Sequence, residues 1–145
     1  MSPCRRTYGS RRERDLAIRT LELFADVYAK LLTGGSATPH HISQVKLWSH
    51  AALQRKAANP EAKPRDHFRV EHGTPRRAFA RKVMELYRAE VLSEQTMDVL
   101  VNQLWKLAVI TIDEDAKLNK VARSHAFETP EERWAAAGIS FPECQ

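Results

Sequence analysis

Two short stretches of the chain set acid, base and cation side by side. The first, EHGTPRR, runs from position 71 to 77 and puts a carboxylate next to a histidine, ahead of two arginines. The second, TIDED, gathers Asp113, Glu114 and Asp115 behind Thr111. Cleavage of a phosphodiester needs a base of near-neutral pKa to activate water, a divalent cation to stabilise developing charge, and cationic side chains to hold the strand. His72 has the intrinsic pKa of such a base, Glu71 can ligate a hard cation, and Asp113 or Asp115 would complete the oxygen-rich site that Mg²⁺ prefers. Arg76 and Arg77 follow at once, with planar guanidinium forks suited to phosphate. Each stretch also has a plainer use. Glu71 and His72 can be a hydrogen-bonded pair at a strand end, and TIDED can be a helix N-terminus, where acids meet the positive end of the helix dipole. The two stretches lie about forty residues apart, so they share a site only if the strands that lead into them pair.

EHGTP, Glu71 to Pro75, resembles the acidic-His-x-x-Pro signature of the HNH, or His-Me finger, nucleases. The resemblance implies a ββα frame with Glu71 as a metal ligand and His72 as the general base. The family's closing helix offers a further ligand, whose nearest counterpart here is Asp115, or less closely Asn119. The chain departs from the family in three ways: two predicted helices stand where a loop is usual, an aspartate replaces the usual second histidine, and no zinc knuckle is present. The wider succession WSHAAL, VEHGTP, LAVITIDEDAKLN and ERWAAAGI is similar to that of small uncharacterised proteins carried by bacteria, phages and mobile elements. That likeness implies a second class of function, a small inhibitor or adaptor of anti-defence type that binds a host protein or nucleoprotein complex without catalysis.

The elements that must position these residues follow from periodicity and punctuation. Leu16, Thr20, Leu23, Val27 and Leu31 form one helical stripe with Phe24 and Tyr28 beside it, predicting a helix over 13–33 that Gly34 and Gly35 end. A second helix is expected over 43–58 with Val45, Trp48 and Leu53 inward, then a proline-bearing connector over 59–66. HFRVE alternates apolar and polar residues as a strand does, which sets His67 on the face opposite His72. Thr74 and Pro75 start a helix to Leu92 that buries Phe79, Val83 and Leu86 and lines another face with Arg77, Arg81 and Arg88. Ser93 caps the next helix, with Met97, Leu100, Val101 and Leu104 inward. KLAVIT is the second strand. Thr111 with Glu114 makes a capping box opening a helix to about Val121, and Thr129, Pro130 and Glu132 repeat the device before Gly138. Trp48, Trp105 and Trp134 are expected as core anchors, and His40 and His41 as solvent-facing loop residues. The fold class is therefore mainly α: one domain of five or six helices with a small two-stranded β element, over 13–145, behind a flexible basic arm over 1–12.

Charge is unevenly spread along the 145 residues. Five arginines, Arg5, Arg6, Arg11, Arg12 and Arg14, fall in the first fourteen positions, and seven Lys or Arg against two acids lie between Lys63 and Lys82. From Thr111 onward seven acids face four bases. A basic front and acidic rear can lay the first on a polyanion, or can simply be solvated faces. The expected polyanion grip is Arg5, Arg6, Arg11 and Arg12 together with Arg76, Arg77, Arg81 and Arg88, and the expected partner is DNA, RNA or a nucleoprotein complex. Cys4 and Cys144 are the only cysteines, so neither a disulfide framework nor a cysteine zinc site is available, and a reduced cytoplasmic setting is expected. No stretch approaches a bilayer span, so no membrane partner is expected. No phosphate loop, GxGxxG, GxSxG or HExxH occurs, so no organic cofactor is expected and Mg²⁺ is the one cofactor the site residues call for.

Overall fold

FRVEH and LAVIT alternate or cluster apolar and β-branched residues as paired strands require, and they pair. In the computed structural model, which describes residues 10–32, 42–122 and 126–143, β1 (Phe68–His72) runs antiparallel to β2 (Leu107–Thr111). The register sets Phe68 opposite Thr111, Glu71 opposite Ala108 and His72 opposite Leu107. The TIDED turn therefore leaves β2 beside the start of β1, at the end of the ribbon away from His72. From Ala108 to Thr111 every residue of β2 is buried.

Around this ribbon stand α1 (Arg11–Leu32), α2 (His50–Ala58), α3 (Pro64–His67), α4 (Arg76–Arg88), α5 (Glu94–Leu104), α6 (Ile112–Ala122) and α7 (Pro130–Ala136), with a 3₁₀ turn over Ile42–Gln44. The mainly α class with one two-stranded sheet stands as the sequence predicts. Gly34, Gly35, His40, His41, Arg5 and Arg6 lie outside the described residues. Arg11 and Arg12, assigned by sequence to a flexible arm, are instead the first turn of α1.

Several boundaries differ for physical reasons. The helix expected over 43–58 is broken: Ser49 N–H donates to Val109 O at 3.0 Å and Val109 N–H to Leu47 O at 2.8 Å, so residues before Ser49 run along the free edge of β2. Helix α2 starts only after Ser49, whose hydroxyl accepts from Ala52 N–H, and Leu53 ends up 41% exposed rather than inward. The proline connector includes one helical turn, α3, with Pro64 in its first turn, and His67 closes that turn instead of lying on a strand. The helix expected to reach Leu92 stops at Arg88, and Glu90 takes a left-handed φ of 57°.

Three of the four capping devices form as read, but Thr74 does not cap α4: the N-cap there is Pro75 itself, with no side-chain cap hydrogen bond, and the helix starts one residue later at Arg76. Ser93 and Thr96 close a capping box on α5, Thr111 Oγ1 accepts from Glu114 N–H at 3.1 Å on α6, and Thr129 caps α7, which Gly138 ends at φ 72°. One core cluster joins Ala25 of α1 to Phe79 and Val83 of α4 and to Met97, Val101, Leu104 and Trp105. A second packs Ala108 and Ile110 of β2 against Leu118 and Trp134.

Candidate functional site: the end of the first strand

Glu71 sits near the end of β1, and its partner comes from the far end of the chain. Arg133, on α7, donates from Nη1 to Glu71 Oε1 at 2.5 Å, to His72 O at 3.1 Å and to Gly73 O at 3.3 Å. The helix reaches this position because Gly73 has no side chain: a Cβ there would stand 2.4 Å from Pro130 Cβ and 2.8 Å from Trp134. Arg133 is buried, and the Glu71 side chain retains 16% of its exposure. Burial pushes the Glu71 carboxyl above its ordinary range; the Arg133 hydrogen bond and charge oppose this, and the charge of Asp115 adds to it. Desolvation thus outweighs a short, charge-assisted bond.

His72 faces another way. Its Nε2 stands 3.9 Å from Asp26 Oδ1 of α1, and its ring meets Trp105 edge-on with centroids 5.2 Å apart. Arg76 joins the same group, 3.9 Å from both Asp26 and Glu22. Arg77 Nη2 donates to Asp15 Oδ1 at 3.2 Å. Two of the arginines assigned to a phosphate grip thereby join α4 to the acidic side of α1, while Arg81 and Arg88 are exposed.

The acids of TIDED separate into three uses. Asp113 pairs with Arg55 of α2 at 2.7 Å. Glu114 is buried, and its Oε2 accepts from Ser49 Oγ at 2.7 Å and from Thr111 N–H at 2.9 Å. The charge of Asp115 acts to raise the Glu71 carboxyl. Among the described residues no three His, Cys, Asp or Glu side chains form a group that could hold a metal ion. The cationic neighbour of Glu71 is the Arg133 guanidinium, so Glu71, Asp113 and Asp115 as arranged do not fit Mg²⁺ as a common ligand set.

Sequence reasoning missed Arg133, Asp26, Arg55 and Ser49. Nothing local marks Arg133, which sits in an acidic helix 62 positions from Glu71. Ser49 did carry a signal, a hydroxyl residue ahead of HAALQRK that suits an N-cap. No helix among the described residues is long and apolar enough to cross a membrane. No protein-family model, curated protein or solved structure matches the chain.

Proposed function

We propose that the protein is a non-enzymatic nucleic-acid-binding module that grips phosphate with arginines of α1 and α4. The observation that carries this reading is the Arg77–Asp15 ion pair, which brings the α4 arginines alongside α1. Arg11, Arg12, Arg14 and Arg19 of α1 and Arg81 of α4 are exposed. None of the five forms a salt bridge among the described residues, and such uncommitted guanidinium groups are the ones available to phosphate. Glu71 and His72, in contrast, are engaged in joining β1 to α7 and α1.

The test is fluorescence anisotropy with a labelled duplex. The expected outcome is binding that an Arg12→Ala, Arg19→Ala, Arg81→Ala triple variant weakens by at least about tenfold, alike across sequences. Unchanged affinity in that variant would remove the reading in favour of a protein partner. Metal-dependent cleavage is a different reading, which the side chains as arranged do not favour, because Glu71 would have to release Arg133 before it could ligate a cation. Incubating the duplex with each divalent metal decides it: nicking that His72→Ala abolishes while binding persists supports it, and an intact duplex throughout removes it.

A further inference from the structure

Helix α1 is apolar on two opposite sides. Ala25 is fully buried, with Leu21 and Tyr28 packed beside it on the core. Leu16, Leu23, Phe24 and Leu31 keep between 53% and 66% of their exposure. At 3.6 residues per turn, Leu16, Thr20, Leu23 and Val27 lie on the side away from Ala25. An apolar row of this length left in water marks a contact surface. Positions 1–9 and 33–41 hold only Met1 and Tyr8 as large apolar residues.

We propose that the outer face of α1 pairs antiparallel with the same face of a second copy of this chain, Phe24 of each copy seating in the groove beside Ala17 of the other. Spacings of four, three and four along Leu16, Thr20, Leu23 and Val27 are those of a helix-pairing seam. Set antiparallel about a twofold axis between Thr20 and Leu23, the row complements itself: Leu16 meets Val27 of the second copy, and Thr20 meets its Leu23. Continuing the spacing outward brings Glu13 opposite position 30, a lysine in the sequence. A parallel pair would instead oppose Glu13 to Glu13. In the antiparallel arrangement the large residues beside the seam fall on small ones, Phe24 on Ala17 and Leu31 on Ser10.

The groove at Ala17 is already built. It is an open apolar hollow of about 460 Å³ between α1 and the end of α4, lined by Leu16, Ala17, Leu21, Met84, Tyr87 and Leu92. Tyr87 and Leu92 are themselves 49% and 39% exposed. With Leu16, Leu23, Phe24 and Leu31 they offer on the order of 600 Å² of apolar side chain per copy, close to the roughly 800 Å² per partner of a standard interface. Anchor and groove on the same surface make the contact isologous, the self-complementary arrangement of a twofold dimer.

Sedimentation velocity on the full chain across the micromolar range tests this. The expected result is a sedimenting species rising with concentration to twice the mass of one chain. Leu23→Asp and Phe24→Glu, both at exposed positions, should weaken self-association by at least about tenfold with the circular dichroism spectrum unchanged. Glu13→Lys should weaken it too, and adding Lys30→Glu to that variant should restore it. Single-chain mass at every concentration, or a dimer indifferent to Leu23→Asp, overturns the proposal; failure of the charge exchange to restore pairing overturns its antiparallel register.

Discussion

Arg133 holds three acceptors with one nitrogen, and this makes Glu71 a different residue from the one its neighbours in sequence imply. Removing the guanidinium leaves a half-buried carboxylate and the His72 and Gly73 carbonyls without this donor, so Arg133→Ala should cost about 3 kcal/mol in denaturant unfolding. The pH dependence has a definite sign. Because the folded-state pKa of Glu71 is raised, the folded chain binds its proton more readily than the unfolded one. Its contribution to stability is therefore fully present below about 4.5, the ordinary value for this group, and is lost as the pH rises through the raised value. The stability of the wild type relative to Glu71→Gln should fall as the pH climbs from that point; a difference that is flat or rises would show that Arg133, rather than burial, dominates the carboxyl. Nothing in EHGTP distinguishes a carboxylate aimed at a cation from one held by a distant arginine, because the decisive partner lies on α7, which only the tertiary fold brings beside β1.

At the scale of elements, what was legible is what is local. Capping boxes join residues three apart, so Ser93, Thr111 and Thr129 announced the starts of α5, α6 and α7, and the strands showed in their alternation. Pairings across the chain were silent. The helix expected over 43–58 yields to the free edge of β2, because Ser49 N–H and Leu47 O find partners on Val109. The stripe of α1 was visible as a stripe, but periodicity alone does not say which of two apolar sides meets the core. Glu114 shows how such links carry energy: one carboxylate oxygen accepts from Ser49, the cap of α2, and from Thr111, the start of α6. Glu114→Ala should cost about 2–4 kcal/mol, since a buried hydroxyl and a buried N–H both lose their acceptor. Asp113→Ala, at an exposed pair, should cost under about 1 kcal/mol. Equal losses in the two variants would contradict these roles.

Over the whole molecule, the charge segregation seen along the chain is only partly kept in space. Arg76 and Arg77 turn to the acids of α1, whereas the front of α1 stays basic, with Arg11, Arg12, Arg14 and Arg19 exposed. Pairing through α1 would lay Arg12 and Arg19 of both copies along the edge opposite Phe24, extending the basic surface across two chains. The measurement that bears most directly on the proposed function is the salt dependence of duplex binding. Five uncommitted arginines per chain predict a plot of log affinity against log salt with a slope between about −3 and −5 per chain, lowered by about one unit for each of Arg12→Ala, Arg19→Ala and Arg81→Ala. A slope near zero, or one that these three substitutions leave unchanged, would contradict phosphate recognition by α1 and α4.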